Sequence, residues 1–190
     1  MSLFSIEDLL RDPLTAPEYV LAQDDPGRLR VLAAYQDLLR VVRVPCPGIL
    51  LTGGAVRDTY YGRPVKDLDF ISQNQDDKYH LGKVIGAKLS PCIDPEMLKE
   101  YAPHSGSMLL AYETPDKSTN LLYVFSVYGR ITEFPDSISQ CWTDGKEVYG
   151  TAAFKQTALT QRVEMSHTIS PEREARLRSK YPTFSFEYEI

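Results

Sequence analysis

The sequence predicts an α+β protein, a mixed sheet flanked by helices. Three observations carry this. Apolar runs of strand length recur at 49–52, 68–71, 108–112 and 121–127. The stretches 27–44 and 76–89 instead place apolar residues at helical spacing. The two kinds of segment are mixed without the regular alternation of a doubly wound parallel sheet.

Taken in order, Ser5 before Ile6-Glu7-Asp8 has the form of a helix cap followed by acidic first-turn residues. In 27–44, Leu29, Leu32, Leu39 and Val42 recur at helical spacing among Arg28, Arg30, Arg40 and Arg43, and Pro45 and Pro47 stop the helix. The strand 49–52 is broken by Gly53-Gly54. A short helix over 55–61 follows, ended by Gly62 and Pro64. The strand 68–71 puts Leu68 and Phe70 on one face and Asp69 on the other. In 76–89, Leu81, Val84, Ile85 and Leu89 share a helical face.

The segment 115–120 between two apolar runs has the composition of a hairpin loop, and Asp144-Gly145 marks a second tight turn. The stretch 151–165 is expected to be helical. Ser170-Pro171-Glu172 opens another helix, with cap, Pro and acid in order. The charges of that helix, Glu172, Arg173, Glu174 and Arg176, are expected to form a solvated face. The stretch 184–190 alternates as a terminal strand with an aromatic face. The resulting organisation is N-terminal helices over 1–48, a core over 49–150, and C-terminal helices and a strand over 151–190, packed as one compact domain.

Composition narrows the function. The chain's 190 residues suffice for one domain with a small appendage. A net charge of -5 argues against wrapping a long nucleic acid, which takes a basic surface, but leaves room for a local basic groove that docks one strand end. No stretch reaches the roughly 20 apolar residues of a bilayer span. The first ten residues contain Glu7 and Asp8 and lack the basic start of a secretory leader. Cys46, Cys92 and Cys141 form no C-x-x-C pair and read as buried, reduced thiols of a cytoplasmic protein. His80, His104 and His167 are dispersed, without metal-ligand spacing.

The chemistry concentrates in Leu51-Thr52-Gly53-Gly54-Ala55-Val56-Arg57-Asp58 and Gly62-Arg63-Pro64-Val65-Lys66-Asp67-Leu68-Asp69-Phe70. Two glycines between a strand and a helix let backbone N–H groups approach phosphate oxygens, and the helix start adds a favourable dipole. Arg57, one turn in, is placed to make a charge-assisted pair with phosphate. Asp67 and Asp69 are two residues apart on a strand and so share a face. Two such carboxylates suit a hard cation such as magnesium, which is completed by substrate phosphate.

This ordered combination resembles the head domain of the poly(A) polymerase and tRNA CCA-adding enzyme family, of the DNA polymerase beta-like nucleotidyltransferase superfamily. The match runs over 49–71. The resemblance implies a mixed sheet flanked by helices, triphosphate contacts at Gly53, Gly54 and Arg57, and metal ligands at Asp67 and Asp69 for Mg2+, with Mn2+ as the alternative. By the same pattern Asp58 and Arg63 support the triphosphate site, and Lys66 either contacts phosphate or is simply exposed. The implied activity is transfer of a nucleoside monophosphate from a nucleoside triphosphate to a hydroxyl on an RNA 3′ end, a small molecule or a protein. The alternative is a binding or inhibitory module of the same fold that has lost turnover.

Downstream the sequence departs from the family. The superfamily commonly places a third carboxylate on a neighbouring strand. Here 121–125 contains no acid, and Glu113 is the nearest substitute. Where the CCA-adding enzymes carry an Arg-Asp-Phe-Thr-Ile-Asn-Ala stretch, this chain has Phe134-Pro135-Asp136-Ser137-Ile138-Ser139-Gln140. Their Glu-Asp-x-x-Arg helix, which selects CTP and ATP, has a counterpart in Glu172-Arg173-Glu174-Ala175-Arg176, without the Asp. The remaining chain has no room for the tRNA-binding neck, body and tail, so faithful CCA addition is not expected.

Overall fold

The computed structural model describes residues 16–92 and 108–188. The helix start at Ser5, His104 and the last two residues of the expected terminal strand lie outside them. Helix α1 (Pro26–Val42) begins where the Asp25 carboxylate accepts from the amides of Gly27 at 2.7 Å and Arg28 at 2.9 Å, with Pro26 in its first turn. It buries Val31, Tyr35, Leu39 and Val42 on one face. The other elements are β1 (Leu50–Thr52), α2 (Gly53–Tyr60), β2 (Leu68–Ser72), α3 (Asp77–Ile85), β3 (Ser90–Pro91), β4 (Met108–Glu113) and β5 (Thr119–Val124). They continue with α4 (Val127–Thr132), β6 (Cys141–Thr143), β7 (Val148–Gly150), α5 (Ala152–Thr160), β8 (Arg162–Met165), α6 (Pro171–Lys180) and β9 (Ser185–Tyr188).

The main sheet has the order β3-β4-β5-β2-β1-β6-β7. Strands β2 and β5 are parallel and the other neighbours antiparallel, so the sheet is mixed. Side chains alternate between its faces. Leu51, Phe70, Tyr112 and Leu121 pack with Val31, Leu39, Ala55, Val56 and Leu81 on one side. Leu50, Ile71, Ala111 and Leu122 pack with Val127, Ile131 and Trp142 on the other. Strands β8 and β9 form a separate parallel pair. There Val163 and Met165 join Ile138, Leu177 and Tyr181 in a third cluster.

Two stretches differ from the sequence expectation. The helix expected over 151–165 stops at Gln161, whose φ of 55° is left-handed. Beyond it Val163 and Met165 are buried while Arg162 and Glu164 are exposed, a period of two that burial enforces as a strand. The apolar run 121–127 is strand only to Val124. The Ser126 side chain then accepts from Gly129 N at 3.1 Å and starts α4. Among the described residues, no helix is long and apolar enough to cross a membrane.

Candidate active site

Strand β1 delivers the chain to Gly53, whose φ of 61° turns it into α2, a conformation that suits glycine. A Cβ on Gly53 would lie 3.3 Å from Asp69 Oδ2, and one on Gly54 would lie 3.8 Å from the same oxygen and 3.6 Å from Arg57 Nη2. The bare backbone of the turn therefore faces the Asp69 carboxylate. Register explains this: Thr52 pairs with Asp69, Asp69 with Asn120, and Asn120 with Glu113. Directly paired residues point to one face, so the four form a row across β1, β2, β5 and β4. Asn120 Nδ2 donates to Asp69 Oδ1 at 3.0 Å. Asp67, half-buried just before β2, has Lys66 Nζ 3.6 Å from its Oδ2.

These groups open onto a cleft of about 830 Å³. All the residues singled out from the sequence line it: Gly53, Gly54, Arg57, Asp58, Arg63, Lys66, Asp67, Asp69 and Glu113. So do Lys117, Arg173, Arg176 and Lys180, which makes seven basic side chains against four acidic ones among the described lining. A protein of net charge -5 has thus concentrated positive charge in one concavity, an arrangement that draws anions.

Arg57 and Asp58 are tied into a network. Arg57 Nε donates to Asp58 Oδ1 at 2.7 Å and its Nη1 donates to Ser139 Oγ at 2.9 Å. Asp58 is buried. It also accepts from Tyr181 Oη at 2.6 Å and from Lys180 Nζ, so it joins α2 to the end of α6. Burial works to raise its carboxyl, but the hydrogen bond and charge of Arg57, with Lys180 and Tyr181, hold it below the ordinary carboxylate value. Arg63 is exposed, and its guanidinium and that of Arg57 each lie 5.9 Å from the Tyr181 ring centre. Lys66 is exposed at the rim.

The face of α6 expected to be solvated is not uniformly so. Arg173 turns inward, its Nε donating to the fully buried Asp136 at 2.8 Å and its Nη2 to Ser139 Oγ at 3.3 Å. Sequence reasoning missed Asp136, Ser139, Arg173, Lys180, Tyr181 and Asn120 as parts of the site. The one available signal was positional: Asp136 and Ser139 lie in the stretch that replaces a family motif, and Arg173 stands where the family's helix carries its Asp.

Two carboxylates beside a turn of bare backbone fit magnesium, which takes one or two carboxylates and completes its shell with water and substrate phosphate. Burial, and next the charge of Asp67, push the Asp69 carboxyl up to about 6, against the Asn120 hydrogen bond and the charges of Arg173 and Arg57. Such a pair gains from a cation between its members. Glu113 is not brought to them. It sits two strands from Asp69, about 10 Å at ordinary strand spacing, and the slot beside Asp69 on the neighbouring strand holds Asn120. Consistently, no group of three or more His, Cys, Asp or Glu that could hold a metal occurs among the described residues. Glu113 Oε2 is buried without a hydrogen-bond partner.

The mixed sheet flanked by helices, with this strand–diglycine–helix unit, defines a nucleotidyltransferase fold. Solved structures sharing it include the Thermotoga maritima CCA-adding enzyme complexed with tRNA, at 14% identity and a TM-score of 0.58, with 85% of this chain and 42% of that one covered. A CCA-adding enzyme with CTP matches at 12% identity and 0.55, over 85% of this chain and 43% of that one. A tRNA nucleotidyltransferase complexed with a primer tRNA and an incoming ATP analog matches at 12% and 0.51, over 77% and 46%. At such identity the likeness is one of fold, and the chain spans less than half the length of each. No family model and no curated protein matches the sequence.

Proposed function

We propose that this chain is a metal-dependent nucleotidyltransferase that moves a nucleoside monophosphate from a nucleoside triphosphate, ATP among them, onto an acceptor hydroxyl. The observation that carries the reading is the Asp69 carboxylate facing the diglycine turn inside a basic cleft. Gly53 and Gly54 offer unobstructed backbone to the triphosphate, and Arg57, Arg63 and Lys66 supply charge around it. Asp67 and Asp69 are the residues that would hold Mg2+ or Mn2+, which when bound offsets phosphate charge and makes the acceptor hydroxyl easier to deprotonate. The acceptor oxygen bonds to the α-phosphorus as the bond to the bridging oxygen breaks; pyrophosphate leaves and the hydroxyl proton passes to water. An RNA 3′ end is the acceptor favoured by the tRNA in solved proteins of this fold. A small molecule or a protein hydroxyl also fits so open a cleft.

The test is incubation with Mg2+ or Mn2+, each labelled nucleoside triphosphate and a short RNA. Pyrophosphate release that Asp67→Ala abolishes is expected; tight nucleotide binding with no release under any of these conditions refutes the reading. One observation favours a second reading, a nucleotide-binding or inhibitory module without turnover: Asn120 fills the slot beside Asp69 where a third acid would stand. Release seen only after Asn120→Asp identifies the natural chain as that module.

A further inference from the structure

Arg57 on α2 and Arg173 on α6 are 116 positions apart in sequence, yet both donate to one atom, Ser139 Oγ, at 2.9 and 3.3 Å. Two guanidiniums drawn to one hydroxyl repel each other, so something must offset the cost. Each has its own buried carboxylate: Asp58 takes Arg57 Nε at 2.7 Å and Asp136 takes Arg173 Nε at 2.8 Å. Both acids are buried, with 2% and 1% of their surface exposed, and both arginines line the cleft. Asp136 lies outside the lining, behind Arg173, while Asp58 reaches the lining beside Arg57 but is covered by its three donors. A guanidinium is a planar fork whose geometry matches phosphate oxygens. The pair also borders the diglycine turn, since Arg57 Nη2 is 3.6 Å from the point where a Gly54 Cβ would be.

We infer that Arg57 and Arg173, aligned by Ser139 and each backed by a buried aspartate, form a two-arginine subsite for the polyphosphate tail of the nucleotide, with Asp136 as the positioning residue for Arg173. This deepens the nucleotidyltransferase reading and rests on it for the identity of the anion. The subsite gives the α6 side of the cleft a part in gripping phosphate, alongside the turn.

The probe is inorganic tripolyphosphate, with adenosine as the control, each titrated against the full chain at fixed Mg2+. Losing one charge-assisted fork weakens tripolyphosphate binding by about tenfold or more in Arg173→Gln, with adenosine affinity unchanged. Arg173→Lys recovers part of the loss, and Asp136→Asn follows Arg173→Gln in direction. Ser139→Ala, the mildest change, lowers tripolyphosphate affinity several-fold and guards against a folding defect in the Asp136 variant. Tripolyphosphate affinity within twofold of the natural chain in both Arg173→Gln and Ser139→Ala overturns the proposal, as does an equal loss for adenosine. The readout is binding, so it separates from the transferase reading. Retained turnover with unaltered binding in the variants removes the subsite alone; subsite binding without turnover in the natural chain removes the transferase alone.

Discussion

The wall of the cleft that holds Gly53, Gly54, Asp67 and Asp69 comes from one unbroken stretch of chain, β1 to β2, and its geometry follows from strand register and the left-handed turn at Gly53. The facing wall is assembled from pieces far apart in sequence: Asp136 and Ser139 in the turn before β6, and Arg173 and Lys180 on α6. The first wall is specified by local rules; the second exists only once β8, β9 and α6 have packed around Ile138, Leu177 and Tyr181. The contrast assigns different vulnerabilities. A change in the first wall should alter chemistry while leaving the fold in place. A change where the two walls are joined, at Asp58, should be felt as instability.

The largest expected effect tests the first half of that contrast. If the proposed transferase reading holds, Asp69→Asn removes a charge that would hold the metal while keeping shape, and turnover should fall by about a thousandfold or more, read as pyrophosphate release. The melting temperature should stay close to that of the natural chain; a cooperative unfolding at much lower temperature would break the distinction.

Asp58 tests the second half. Asp58→Ala strands Arg57, Lys180 and the Tyr181 hydroxyl at one buried point, and should cost about 3 kcal/mol or more of stability, measured by denaturant titration. The acid dependence sharpens this. The Asp58 carboxyl is held below its ordinary value, so its contribution is fully present above the unfolded-state value of about 4 and is lost as pH falls through the depressed folded value. The natural chain should lose stability steeply on acidification below about pH 4, and Asp58→Ala should show a shallower loss.

Gly53→Ala is smaller and mixed. A side chain at φ 61° costs about 1 kcal/mol, and its Cβ would press on Asp69 Oδ2 at 3.3 Å. Nucleotide affinity should drop more than the strain alone accounts for, as titration calorimetry of the variant against ATP would reveal. Lys66→Ala is the smallest. Its side chain is exposed and 3.6 Å from Asp67, so nucleotide affinity should change by about twofold or less; a larger change would make it part of the grip.

The same contrast explains what the sequence disclosed. The α+β class was legible because buried strands and helices write their periods into the chain, as in α1 and β2. The strand–diglycine–helix unit and the following strand that carries Asp69 were legible because their periods and the glycine break lie in one continuous stretch. Val163 and Met165 were misread because two apolar residues at spacing two continue a helical stretch plausibly until a left-handed Gln161 interrupts it. Arg173 read as solvated because its charged neighbours are, and the acid that draws it inward lies 37 positions away. Asn120 was overlooked because its importance is a matter of cross-strand register, which no single segment contains.

Asp58 receives donors from α2 and from both residues at the close of α6. Prising α6 away from the turn would strip a desolvated anion of two of its three donors at once. The spacing between α2 and the end of α6 is therefore held by this one carboxylate, and parting the two helices carries an electrostatic penalty.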